Sequence, residues 1–184
     1  MPNPLPPVPL AASTRDLAAS ATDMRYRLVL SIAAAVLLLD QVTKWYVRQR
    51  VGLYESIAVI DSFFHITYVR NSGGAFSLLA GTSPTFRLPF FLIVCTAAIG
   101  VLLYFVSKLE PRQWLLLFAL GGILGGALGN LTDRIVSGEV TDFLDVHWHG
   151  YYWPAFNVAD SFISTGMVIL LIHSLLVRDD AAPQ

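Results

Sequence analysis

Cysteine is almost missing from this chain: Cys95 is the only one in 184 residues, and it sits inside an apolar run. It can form no intrachain disulfide and no cysteine-based metal cluster, and it reads as a small packed apolar group. Charge is scarce too. Only 14% of the residues are charged and the net charge is −1, with no basic run interleaved with aromatics, so nothing points to a nucleic-acid partner. Gly-x-Ser-x-Gly, a phosphate-cradling glycine loop and the zinc-peptidase His-Glu-x-x-His are all missing, which sets aside the chemistries those motifs carry.

What remains is apolar. Hydrophobic residues make up 55% of the chain and the mean hydropathy is +0.60, values that suit lipid better than water. Residues 1–24 hold five of the ten prolines and read as a disordered leader, too poor in apolar surface to repay its ordering entropy. Residues 25–178 read as an all-α membrane domain of four transmembrane helices, at about 26–47, 88–107, 113–133 and 158–177, each near the length a bilayer core needs. Residues 179–184 are left as a short tail. The first helix has to include Asp40 and Lys44 near its far end, with Trp45 and Tyr46 as interfacial anchors. The turn at 108–112 makes the second and third helices antiparallel neighbours, which puts both termini on one side and the two long connections on the other. Function is expected in those connections. Residues 57–60, 63–69 and 139–148 are rich in β-branched and aromatic side chains, so a small β-rich element is expected there on the membrane surface. Lys and Arg divide evenly between the two sides, so charge does not orient the chain. Gly121, Gly125 and Gly129, beside Gly122 and Gly126, predict close helix packing.

Ionisable groups at membrane depth cost about 2.5 to 3.5 kcal/mol each on insertion scales, which makes them functional candidates by default. Here they are Asp40, Lys44, Asp133, Arg134 and Asp160, with the amides Asn130 and Asn157 and, in the connecting loop, Asp142 and Asp145. All fall on one side. Asn130 shares a helix face with Asp133 and Arg134, as Asn157 does with Asp160 and Asp40 with Lys44. Asp40 and Lys44 also read simply as an ion pair, and Asp160 as a helix-dipole partner. If residues 139–148 are extended, Asp142 points with Leu144 and Val146 to one side, while Asp145 and His147 point to the other. Only one of the two aspartates can then face a given site, and alternation alone does not choose. His147 and His149 lack a third ligand and are weak evidence for a metal; none is expected. Two carboxylates held close share a proton, and such a pair can hydrolyse an amide unaided.

At these residues the chain resembles the lipoprotein signal peptidases (signal peptidase II) of bacteria. The resemblance is carried by Asp40-Gln-Val-Thr-Lys44, Arg70-Asn-Ser-Gly-Gly-Ala-Phe76, Gly126-Ala-Leu-Gly-Asn-Leu-Thr-Asp-Arg134, Val140-Thr-Asp-Phe143 and Pro154-Ala-Phe-Asn-Val-Ala-Asp160, in the family's order. It implies an intramembrane aspartic endopeptidase that removes the signal peptide from diacylglyceryl-modified prolipoproteins before the lipid-modified cysteine. Asp142 and Asp160 are then the catalytic pair. Asp40, Asn71, Asn130, Arg134 and Asn157 match positions that line the substrate site, and Asp133 a supporting one. The resemblance also implies no cofactor, a monomer working among membrane lipid, inhibition by the family's cyclic peptides, and a place in the bacterial cytoplasmic (inner) membrane. Both termini would be cytoplasmic, with the β-rich element extracytoplasmic and the site near the outer leaflet. A small transporter or lipid-binding membrane protein is the rival reading of the same polar cluster.

Overall fold

A computed structural model of the protein describes residues 14–73, 79 and 81–179. It contains four helices, α1 Thr14–Arg50, α2 Pro84–Lys108, α3 Trp114–Ser137 and α4 Val158–Asp179. Each holds a stretch long and apolar enough to cross a membrane. The reading of residues 1–24 as a disordered leader is corrected from Thr14 onward, where α1 begins. All five leader prolines precede that point, and the alanine-rich stretch after it favours a helix. Residues 1–13, and 180–184 of the expected tail, lie outside the described residues. Helix α2 starts four residues earlier than expected because Pro84 sits in its first turn, where a missing N–H costs nothing.

The three expected strands, β1 Ser56–Ile60, β2 Phe64–Asn71 and β3 Val140–Trp148, and a short unexpected fourth, β4 Tyr151–Tyr152, pair into one antiparallel sheet in the order β1-β2-β3-β4. The Asp61-Ser62 break is the β1–β2 turn, with Ser62 at φ 60°. Strand β3 begins directly after α3, which Gly138 ends at φ +77°, its N–H donating to the Arg134 carbonyl at 3.0 Å. The register sets Val69 opposite Asp142 and Asn71 opposite Val140. That pairing carries Asn71 to the middle of the molecule.

Helix α3 is the hub: 67% of its apolar window is buried, against 28% in α1 and 11% in α2 and α4. Its glycines form two stripes, Gly121, Gly125 and Gly129 toward α1, and Gly122 and Gly126 toward α4. A methyl group on Gly125 would stand 2.6 Å from the Ala33 carbonyl oxygen, and one on Gly126 2.5 Å from that of Ala159. The backbones are that close. Val29, Ala33, Val106, Leu117, Leu120 and Leu124 fill the end of the bundle away from the sheet.

At the sheet end the core is ionic. Lys44 and Asp40 have no exposed surface, and Lys44 Nζ reaches Asp40 Oδ2 at 2.8 Å, Asp133 Oδ2 at 3.0 Å and Asn130 Oδ1 at 2.9 Å. An ammonium has three protons to donate, and here there are three acceptors. Asp40 Oδ1 accepts the backbone N–H of Ala159 at 2.9 Å and Asp133 Oδ2 that of Thr141 at 3.0 Å. Gln41 Nε2 donates to the Gly129 carbonyl and to Asp133 Oδ1, both at 3.1 Å. One charge cluster therefore ties α1, α3, β3 and α4 together.

Two expectations follow for thermal unfolding in detergent micelles. Gly125→Ala is expected to lower stability by about 1–3 kcal/mol through overpacking, while Gly100→Ala, with nothing within 4 Å, leaves Tm unchanged or slightly raised. Lys44→Met, which strands two buried carboxylates, is expected to cost about 3–5 kcal/mol. Adding Asp40→Asn and Asp133→Asn to it should recover part of that loss.

Candidate active site

Asp142 comes from β3 and Asp160 from the first turn of α4, and the amide of Asn157 holds them both. Asn157 Nδ2 donates to Asp142 Oδ1 at 2.7 Å, while Asn157 Oδ1 accepts the backbone N–H of Asp160 at 3.0 Å. Asp160 Oδ2 in turn accepts the backbone N–H of Asn157 at 3.3 Å. This reciprocal pair is a capping box: Asn157 stands just before α4 and Asp160 three residues on. The cap that starts α4 is thus also the clamp on Asp142.

Two further amides complete the frame. Asn71 Nδ2 donates to Asp142 Oδ2 at 3.0 Å, and its Oδ1 accepts the Gly73 N–H at 3.0 Å. Asn130 Nδ2 donates to Asp160 Oδ1 at 2.7 Å, and its Oδ1 accepts from Lys44 and, at 3.2 Å, from Asn157 Nδ2. Lys44 offers only protons, so the Asn130 oxygen has to face it and the amide NH2 has to face Asp160. The buried lysine therefore sets the polarity of the amide that touches the carboxylate.

The two carboxylates differ in setting. Asp142 is buried at 3% exposure, and Asp160 is half-buried. Burial, and then the charge of Asp160, push the Asp142 carboxyl up from the usual 3.8 to about 6, against the pull of the Asn71 and Asn157 amides and of Lys44. A proton is held on this pair at a pH where an ordinary aspartate has lost it.

Arg134 is buried and serves the backbone. It donates to the carbonyls of Gly73 at 2.9 Å and Asn130 at 3.1 Å, with its guanidinium 4.3 Å above the Phe91 ring. It fastens the turn after β2 to α3, and so keeps Asn71 beside Asp142. Asp40 has no exposed surface, both its oxygens are engaged by Lys44, Gln41 and Ala159, and it offers a substrate nothing to touch. It braces the frame from behind. The competitors are placed elsewhere: Asp133 lies in the lysine cluster, and Asp145 is on the other side of β3, 3.8 Å from His147. Of the sequence block around Asn71, Gly74, Ala75 and Phe76 lie outside the described residues.

Residue-by-residue reading of the polar groups passes over Gln41, Gly73 and the backbone N–H groups of Thr141 and Ala159. Gln41 is an uncharged amide one position from Asp40, and only its place at membrane depth could have flagged it. The other three act through their backbones, which leave no side-chain signal.

The chain is similar to known proteins over most of its length. A family model described as signal peptidase (SPase) II matches residues 32–176. The lipoprotein signal peptidase of Geobacter sulfurreducens is 48% identical over 158 residues, covering 86% of this chain and 98% of that one. The lipoprotein signal peptidase of Syntrophotalea carbinolica is 47% identical over 148 residues, 80% of this chain and 91% of that one. A bacterial membrane enzyme structure solved at 2.3 Å superposes with a TM-score of 0.75 at 33% identity, over 85% of this chain and 92% of the other. The chain belongs to the signal peptidase II family of aspartic peptidases.

Proposed function

We propose that this protein removes the signal peptide from diacylglyceryl-modified prolipoproteins, cutting before the lipid-modified cysteine, and that Asp142 and Asp160 activate the water. The observation that carries this reading is Asn157, whose side-chain amide donates to the Asp142 carboxylate while its backbone N–H donates to that of Asp160. Asp142, with its raised carboxyl, holds the shared proton. Asp160, half-buried, acts as the base.

In the first step Asp160 takes a proton from water as the water oxygen bonds to the scissile carbonyl carbon, and Asp142 gives its proton to the carbonyl oxygen. In the second, Asp160 returns a proton to the peptide nitrogen, the C–N bond breaks, and Asp142 recovers a proton from a hydroxyl of the collapsing tetrahedral carbon. The pair ends as it began. Neither a metal nor a covalent intermediate is needed. Asn71, Asn130 and Asn157 orient the carboxylates, Arg134 holds Gly73 just beyond the end of β2 that carries Asn71, and Asp40 acts through Ala159 and Lys44.

The sheet lies on the membrane surface in this reading. Ile57, Val59, Ile60, Trp148, Tyr151, Tyr152 and Trp153 are exposed there, together with Trp45 and Tyr46 at the end of α1. Such aromatics suit the headgroup layer. With both termini in the cytoplasm, the dyad stands near the outer leaflet of the inner membrane, where a lipid-anchored substrate arrives. The protein works as a monomer, and the family's cyclic peptides block it.

A gel-shift assay on a lipid-modified prolipoprotein tests the reading. Asp142→Asn and Asp160→Asn are each expected to lower kcat by about 10²–10⁴-fold or more, with Tm close to wild type and substrate still bound. Wild-type-like turnover in either variant would refute the assignment. Cleavage is expected to continue in EDTA. Because Asp142 keeps its proton up to about pH 6, raising the pH beyond that ionises Asp142 and removes the acid, so kcat/KM should fall along an alkaline limb that begins there.

A further inference from the structure

The sheet carries a second cluster of chemistry-bearing side chains, which the dyad does not use. His65 on β2 stands opposite Asp145 on β3, and His147 lies two residues along β3, on the same side as Asp145 and away from Asp142. One ligand-type atom from each of the three falls within 4.8 Å of the others. The His65 and His147 rings meet edge to face with centroids 4.5 Å apart, and Tyr152 of β4 stacks on His147 at 5.3 Å, fixing its plane.

This cluster is incompletely satisfied by the protein. Among the described residues, His147 Nδ1 is buried without a hydrogen-bond partner. Asp145 Oδ1 stands 3.8 Å from it, beyond hydrogen-bond length. His65 Nδ1 is 3.3 Å from Ser56 Oγ, which leaves Nε2 as its free nitrogen. An imidazole held by an outer partner at one nitrogen and open at the other is the usual state of a metal ligand. His149, the partner that spacing suggested for His147, is exposed and outside the cluster. The third ligand comes from across the sheet, which spacing along the chain cannot reveal. A cleft of about 670 Å³ lined by Asp61, Ser62, His147, His149 and Tyr152 opens beside His147.

We propose that His65, Asp145 and His147 bind a divalent transition metal, zinc in the first instance, with water in the fourth position. Two imidazoles and one carboxylate are a nitrogen-rich set that suits zinc and disfavours calcium or magnesium. Bonds of 2.0–2.1 Å place tetrahedral ligands about 3.4 Å apart, so the three side chains need close by little more than an ångström. The ion bridges β2 to β3 at the His65–Asp145 pair, next to the Ile66–Leu144 pair, and on the opposite side of β3 from Asp142. It is a staple on the strand that carries Asp142, and it takes no part in the hydrolysis.

Isothermal titration of Zn²⁺ into the full chain, carrying no polyhistidine tag and held in detergent micelles, tests this. One saturable site per chain is expected, with a Zn²⁺-induced rise in Tm and, for Co²⁺, the visible absorption bands of tetrahedral coordination. His65→Gln, His147→Gln and Asp145→Asn should each weaken binding by roughly tenfold or more. Asp145→Asn should also abolish the Tm rise while leaving the metal-free Tm unchanged, and His149→Gln should bind as wild type. No saturable binding, or an equal loss in His149→Gln, overturns the proposal. The dyad shares no residue with this site, so prolipoprotein cleavage by the same variants is read independently of their metal binding.

Discussion

A lysine with no exposed surface has to be neutralised where it lies, and most of the sheet-end architecture is arranged around doing so for Lys44. Asp40 approaches from one turn earlier on α1 and Asp133 from α3. Gly129 lacks a side chain because one there would stand 2.5 Å from Asp40 Oδ2. The oxygens left over on the two aspartates accept backbone N–H groups from α4 and β3, so each element finds its place by completing a charge it cannot move. A buried ion cluster contributes little net stability against an apolar core of equal volume, but misplacing any member is costly. In this protein the cost fixes how α1, α3, β3 and α4 register against one another.

The frame around Asp142 and Asp160 inherits that precision. Asn130 passes it on, with its oxygen on the lysine side and its NH2 on Asp160. Neutral amides hold both carboxylates, and they orient an acid without committing it to one charge state. Arg134 is spent on two backbone carbonyls and an aromatic face. Its contribution reaches the carboxylates through the turn it fastens.

The sequence made the helices legible through their apolar length, and the strands through β-branched and aromatic runs. Helical spacing also placed Asn130 with Asp133 and Arg134, and Asn157 with Asp160, on shared faces. Alternation along β3 separated Asp142 from Asp145 but could not say which faced inward, because burial depends on a bundle that lies elsewhere in the chain. Contacts made across the sheet or by backbone groups stayed hidden. The Ala159 N–H on Asp40, the Gly73 carbonyl under Arg134 and His65 beside His147 all join residues far apart in sequence. Asp40 is the instructive case: motif matching marked it as lining the substrate site, yet its carboxylate faces inward to Lys44 and Ala159.

The capping box at Asn157 has a consequence for biosynthesis. Asn157 and Asp160 follow β3 in the chain, and their geometry exists only once the first turn of α4 has formed against β3. A chain still emerging from the ribosome, with three helices and β3 made, holds Asp142 before Asp160 exists. The two aspartates are therefore brought together only when α4 packs, after α1, α2, α3 and β3.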